Sequence, residues 1–374
     1  MAGSDDGRVR VLWLIKGLGP GGAERLLVDA ARHVDRERFL YEACYLLPWK
    51  DHLVADLERE GVAVHCLDVR RPRNPAWVRA LRGLIRDRGY RVVHAHLPSA
   101  GVGARIAVRR LPQPRPAVVY TEHNTWDRYR AATRRMNAAT FGINDAVIAV
   151  SRGVADSISA DRGVPVTVIP NGVDAERLRL GALSREEARA ELGLPSEGLV
   201  VGTVGGITAK KGHSSLVRAA ARVPGATFVF VGLPIDAEPV LELIRRAGLE
   251  SRIVLAGYRP DAFRLMRAFD VYCLPSRFEG MPVSLLEAMA LGVAPVATSV
   301  GGVPEMVTRG EDALLVPPDE PEALAEAVRS LLEDEERRSS MGKRAAETAE
   351  RFGLESMVRR TEEVYLQALE RVGE

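Results

Sequence analysis

The sequence predicts an α/β protein of two doubly wound parallel-sheet domains, 1–170 and 171–352, followed by a closing helix over 353–374. Three observations predict it: the length, the alternation of apolar runs with helical periodicity, and a second start of that pattern after residue 170. At 374 residues the chain exceeds one typical domain of about 150 residues, and each half can bury most of the surface its unfolded chain exposes. A composition of 46% hydrophobic and 27% charged residues, with 34 Gly and 22 Pro, excludes a disordered, collagen-like or disulfide-stapled chain.

In the first half, runs rich in Val, Ile and Leu fall at 9–15, 40–47, 62–67, 92–95, 118–121, 146–150 and 166–169. Helical spacing fills the intervals 23–33, 53–59, 77–88, 103–110 and 129–141. Apolar runs without polar alternation, separated by helices, read as parallel strands covered on both faces. The pattern stops at the turn cluster Ile169-Pro170-Asn171-Gly172-Val173-Asp174, which reads as a hinge. A helix over 184–192 leads into a second set of strands at 199–204, 227–231, 253–255, 271–274, 295–298 and 313–316. The stretch 352–371 places Leu354, Met357, Val358, Val364, Leu366 and Leu369 at helical spacing with no strand after them, so it is expected to pack on a sheet already built.

Cys44, Cys66 and Cys273 lie in apolar contexts, and three cannot all pair; they read as reduced, strand-buried thiols of a cytoplasmic protein. The first apolar run stops at Lys16, short of a signal-peptide core. The longest later run, 288–297, contains Gly292 and Pro295 and falls far below the roughly 20 residues that span a bilayer.

Each half opens with a strand running into a glycine-rich loop, 17–22 and 202–206. Ligands gather at the carboxyl ends of open parallel sheets, so two such sheets facing each other would hold a site in the cleft between them. Gly17-Leu18-Gly19-Pro20-Gly21-Gly22 formally matches GxGxxG, but the second strand ends Cys44-Tyr45-Leu46-Leu47-Pro48, without the acid that holds a ribose in dinucleotide sites. Two readings stay open for the loop. Its amides near Gly21 and Gly22 can approach an anion, or it is a turn that only lets strand and helix pack.

The densest chemistry lies in Arg277-Phe278-Glu279-Gly280-Met281-Pro282-Val283-Ser284-Leu285-Leu286-Glu287. Pro282 suits the first helical position, which places Glu279 in the preceding loop and Glu287 in the second turn. Backbone amides from Met281 to Ser284 at the positive end of the helix suit a phosphate, and the two acceptor-only carboxylates suit sugar or ribose hydroxyls. Only 5 of the 52 basic residues are Lys, so Lys210-Lys211-Gly212 after a glycine loop runs against the chain's own bias. Lys211 can meet a diphosphate as a compact charge. The plainer readings are capping acids on a surface helix and a solvated charge at a helix start.

Taken together, GGAE (21–24), VIPNGVD (168–174), KGH (211–213), FEGMPVSLLEAMA (278–290), GGVPE (301–305) and LLVPPDE (314–320) resemble glycosyltransferase family 4. The resemblance spans nearly the whole chain. It implies the GT-B architecture, two Rossmann-like domains facing a cleft with the closing helix crossing back to the first. It also implies retaining transfer from a nucleotide-diphosphate sugar, UDP- or GDP-linked, to a lipid-linked, polysaccharide or other glycoconjugate acceptor. Carried over by residue, it places Glu287 on the donor's ribose and Glu279 on hydroxyls of the transferred sugar. Gly280, Met281, Pro282, Val283 and Ser284 lie near the phosphates, and Lys211 holds the diphosphate with Gly21, Gly22, Gly206 and Lys210. Tyr258 and Arg259 are expected at the base. His123 faces donor sugar and acceptor, and His96 and Asn124 line the acceptor side; Lys211, Glu279 and His123 are the catalytic candidates.

One position departs from the family. Its members commonly carry Arg five residues before the diphosphate Lys, where this chain has Gly206. Arg277 or Lys210 is expected to substitute; otherwise donor binding is weak, or the chain is a non-catalytic relative. A GT-B epimerase or phosphorylase is a further reading, against which the EGMPVSLLEAMA string argues. No cofactor or metal is expected, because no Cys, His and Asp set has ligand spacing and no Asp-x-Asp pair stands near the proposed cleft.

The formal charge of +2 hides two opposed halves. Residues 1–170 hold 27 basic and 18 acidic residues, residues 171–374 hold 25 and 32. The excess lies in Arg70, Arg71, Arg73, Arg79, Arg82, Arg86, Arg88, Arg91, Arg105, Arg109, Arg110, Arg128, Arg130, Arg134 and Arg135. These form either a solvated surface or a face for anionic lipid headgroups or a phosphorylated, lipid-linked acceptor, peripheral at the inner side of a membrane. Nucleic acid is not expected as a partner.

Overall fold

The computed structural model describes residues 7–70, 76–158 and 163–373. The chain folds as two units, Met1–Gly172 with Leu354–Glu374, and Val173–Gly353.

The first unit is built on seven parallel strands: β1 (Val9–Ile15), β2 (Phe39–Tyr45), β3 (Ala63–Cys66), β4 (Val92–His96), β5 (Ala117–Glu122), β6 (Ala146–Ala149) and β7 (Val166–Val168). Their order is β3-β2-β1-β4-β5-β6-β7. The direction of winding reverses between β1 and β4, paired from Val11↔Val92 to Leu14↔Ala95, and a crevice opens at such a reversal beyond the carboxyl ends of the strands. Every residue of β4 and β5 is buried, as runs covered on both faces require. The edge strand β3 is not so covered, and Cys66 at its end is exposed, against the expectation of three buried thiols; Cys44 and Cys273 are buried.

The closing helix Leu354–Gly373 belongs to this unit. Its Val358, Val364, Tyr365 and Ala368 join Trp13, Tyr41 and Ile148 in one core. Two expected helices shift. Pro98 starts Pro98–Val108 ahead of the expected 103, because proline fits the first helical turn, and the expected 129–141 helix is a short 3-10 turn, Trp126–Arg128, followed by Ala131–Thr140. Arg105, expected among surface cations, is wholly buried, and Arg71 and Arg73 lie outside the described residues.

The second unit holds six parallel strands: β8 (Leu199–Val204), β9 (Ala226–Val231), β10 (Ile253–Gly257), β11 (Val271–Leu274), β12 (Ala294–Thr298) and β13 (Leu314–Val316), in the order β10-β9-β8-β11-β12-β13. Winding reverses again, between β8 and β11, paired Val271↔Val201 and Tyr272↔Gly202. Among the described residues no helix is long and apolar enough to cross a membrane.

Candidate active site

In the second unit, loops after β8, β11 and β12 meet at the reversal. The loop after β8 passes through a 3-10 turn, Ala209–Lys211, into the helix His213–Ala220. Gly212 between them has φ +67°, and a Cβ there would overlap the Pro275 carbonyl oxygen, so only glycine lets the two loops touch. The Arg277 N–H then donates to the Lys210 carbonyl at 2.9 Å. This contact brings Lys211 Nζ to 2.7 Å from Glu279 Oε1, an oxygen that also accepts from Ser276 Oγ at 2.6 Å.

Glu279 is buried, 7% exposed. Burial pushes its carboxyl up, but the charges of Lys211 and Lys210 and the bonds from Lys211 and Ser276 outweigh that and hold it below its ordinary value. The third loop supports it from behind. Gly301 has φ +52°, a Cβ there would overlap the Glu279 carbonyl oxygen, and the Gly302 N–H donates to the Gly280 carbonyl at 2.8 Å. Sequence reasoning missed Ser276 and gave Gly301 no role, although both stand in or beside strings it quoted.

The helix behind this pair is Val283–Ala290, and Pro282 is its N-cap, not its first residue, because ψ at 115° keeps it extended. Pro282 itself offers no side-chain cap, and Ser284 Oγ accepts from Tyr272 OH at 2.8 Å. Glu287 stands in the second turn, half-buried, close enough to Tyr272 to add to the rise that burial imposes on that phenol. Lys210 sits 5.1 Å from the Phe278 ring centroid, and burial lowers its pKa. Arg277 is exposed and paired with Asp319 at 2.8 Å. Gly206 opens the same loop as Lys211, whereas Tyr258 and Arg259 follow β10, two strands from β8. His213 went unassigned by sequence. It is buried edge-on to Phe230, neither ring nitrogen has a hydrogen-bond partner among the described residues, and burial, with Lys211's charge adding to it, pushes it down to about 4.

In the first unit, Gly21 is the extended N-cap of the helix Gly22–Ala30, and the Lys50 side chain packs on Gly17 and Gly19 of the same loop. His96 ends β4 and His123 follows β5; His96 Nδ1 and His123 Nε2 are 3.1 Å apart. His94, which sequence reasoning left without a role, stacks on His96 at 4.2 Å between centroids. It is bonded to Thr121 Oγ1 and Tyr365 OH, both at 2.6 Å. Burial pushes His94 down to about 3 and His123 to about 4, and it holds His96 well below its ordinary value, so all three are neutral at pH 7. They border a half-open pocket of about 50 Å³ lined also by Trp13, Leu27 and Tyr365, room for a few water molecules. The Asn124 N–H donates to Glu122 at 3.3 Å. Among the described residues no group of three or more His, Cys, Asp or Glu could hold a metal ion.

Residues 20–177 match the family model for Glycosyltransferase Family 4, and residues 184–348 match that for Glycosyl transferases group 1. The chain is 30% identical over 278 residues to the lipopolysaccharide core biosynthesis mannosyltransferase LpsB of Rhizobium meliloti, covering 70% of this chain and 75% of the relative. It is 30% identical over 318 residues to D-inositol 3-phosphate glycosyltransferase 1 of Catenulispora acidiphila, covering 77% and 75%. Among solved structures, Anabaena HepE in complex with UDP and glucose superposes with a TM-score of 0.85 at 25% identity, covering 96% of this chain and 99% of HepE. Two parallel-sheet units, each with a loop site at its winding reversal, together with these likenesses define an enzyme of the GT-B glycosyltransferase class. The chain belongs to glycosyltransferase family 4.

Proposed function

We propose that the enzyme moves a sugar, with retention of anomeric configuration, from a UDP- or GDP-linked donor to a hydroxyl of a lipid-linked, polysaccharide or other glycoconjugate acceptor. The observation that carries this reading is the Lys211–Glu279 pair, 2.7 Å apart, in the loops beside the start of the helix Val283–Ala290. In the reaction, the bond from the anomeric carbon to the diphosphate oxygen breaks, and the acceptor oxygen bonds to that carbon on the same face. The acceptor's proton passes to the departing phosphate oxygen, so no enzyme nucleophile is required. Charge grows on the diphosphate, where Lys211, Lys210 and the amides of the helix start would lower its energy. Glu279 would accept from hydroxyls of the transferred sugar and Glu287 from the ribose. In the first unit, Gly21 and Gly22 are assigned to phosphate, and His96, His123 and Asn124 to the acceptor side.

HepE, crystallised with UDP and glucose and with UDP-glucose, supports the donor class. The relatives named for lipopolysaccharide core and D-inositol 3-phosphate support a glycoconjugate or phosphorylated acceptor. Because protein cations and amides serve the leaving group, the transfer is read as independent of metal and cofactor. The basic first unit is read as resting on an anionic membrane surface.

The test is a panel of UDP and GDP sugars, scored for donor hydrolysis and for transfer, with and without EDTA. One donor is expected to turn over at the same rate in EDTA, and Lys211→Ala to lose about 10²–10³-fold in kcat with its circular dichroism unchanged. Turnover of no donor would reject the transferase reading, and a fully active Lys211→Ala would reject the role given to the pair.

A further inference from the structure

We propose that Glu122 is a positioning residue of the transfer reaction, holding the backbone of His123 and Asn124 in place from beneath. The inference rests on the reading that puts those two residues at the acceptor. Glu122 ends β5 and is fully buried, 0% exposed. Its Oε1 accepts from the N–H of His123 at 3.1 Å, the N–H of Asn124 at 3.3 Å and the Tyr129 hydroxyl. Its Oε2 accepts from Tyr120 OH at 2.8 Å and Trp126 Nε1 at 2.9 Å. Five donors between residues 120 and 129 thus converge on one carboxylate and close the segment after β5 onto its own strand.

A buried cation completes the arrangement. The Arg105 guanidinium, also 0% exposed, lies 4.5 Å from the Tyr120 ring centroid, and the hydroxyl of that ring donates to Glu122. Arg105 is held by Asn144 at 2.8 Å, Asn137 at 2.7 Å and Thr140 at 3.1 Å, so the ring it stacks on has one stable place. Burying a charge is costly unless hydrogen bonds meet it, and an apolar side chain would fill the volume at lower cost. What the carboxylate supplies, and an apolar residue cannot, is two acceptor bonds to the amides of the residues that carry His123 and Asn124. These bonds set the His123 ring 3.1 Å from His96.

Glu122→Gln keeps the shape but turns an N–H toward donors on one side of the carboxyl. A displacement of about 1 Å at a reacting group costs roughly 10²-fold, so kcat for transfer is expected to fall by about that factor. The Kd for the nucleoside diphosphate, UDP or GDP, should stay within about twofold. Tyr129→Phe removes one donor without touching the buried carboxylate, and is expected to lower kcat in the same direction, about tenfold. It decides the matter if Glu122→Gln does not fold. The proposal is overturned if Tyr129→Phe, or a folded Glu122→Gln, transfers at the wild-type kcat while His123→Ala does not. It is also overturned if kcat falls only in step with nucleotide binding and folded fraction. A fully active His123→Ala would instead sink the acceptor-site reading itself.

Discussion

Gly206 is where the chain departs from the pattern it resembles, and its surroundings make the departure reversible. Its φ lies outside the left-handed region, and a Cβ would meet Ile235 Cδ1 at 3.1 Å, the far end of a flexible side chain that is 63% exposed. Arg277, one of the two expected substitutes, is already paired with Asp319. Gly206→Arg would place a guanidinium in the Lys211 loop, where its planar fork can take two phosphate oxygens. A charged hydrogen bond contributes about 1.5–3 kcal/mol, so titration calorimetry is expected to show nucleoside diphosphate bound at least about tenfold more tightly. Unchanged affinity would mean that Lys210 or Arg277 fills the role already. Lys211 and Glu279 were legible because a rare lysine and a loop acid stood in recognisable strings. Ser276 on Glu279, the Gly301 backbone against it and the burial of His213 against Phe230 were not: the first depends on how one loop turns, the second on loops from β11 and β12 converging, the third on a helix packing on its sheet.

At the scale of elements, the strands were legible because both faces of a parallel sheet are apolar, whereas helix ends were not. Pro98 starts its helix while Pro282 stays outside the one it precedes, and the difference lies in ψ, which sequence does not carry. The helix Ala131–Thr140 shows a further limit of charge counting. Arg134, Arg135 and Met136 are exposed on it, Met136 by 56%, and Arg128 and Arg130 are exposed just before it, whereas Arg105, counted with them in the sequence, is a core residue. Arg134 and Arg135 beside an exposed methionine, with Arg130 just before the helix and Arg128 paired to Asp127, suit an anionic bilayer surface, each basic residue there contributing about 1 kcal/mol. Cosedimentation with vesicles is expected to require anionic lipid and to be released by salt. Arg134→Glu with Arg135→Glu should weaken it by more than tenfold. Equal binding to neutral and anionic vesicles would reject the membrane role for this helix.

Across the whole molecule, the buried imidazoles are divided unequally, and that division sets how each unit responds to acid. His94, His96 and His123 lie in the first unit and His213 in the second, all held below their ordinary value of 6.5 mainly by burial. Between those lowered values and 6.5 the unfolded chain binds protons that the folded one refuses, so stability falls as pH drops below 6.5. From pH 7 to pH 5.5 each such group costs about 1 kcal/mol, roughly 3 for the first unit and 1 for the second. Glu24, Glu122 and Glu362, raised by burial and all in the first unit, act in the opposite sense, gaining stability as pH falls toward the ordinary 4.5 and offsetting part of that unit's histidine loss. All four tryptophans, Trp13, Trp49, Trp77 and Trp126, belong to the first unit, so their fluorescence reports that unit while circular dichroism reports both. The fluorescence midpoint is therefore expected to fall further over that range, by up to roughly 6–12 °C, against about 2–4 °C for a transition silent in fluorescence. A fluorescence midpoint that falls no further than the other would mean that the histidines around Tyr365 take up protons without unfolding their unit.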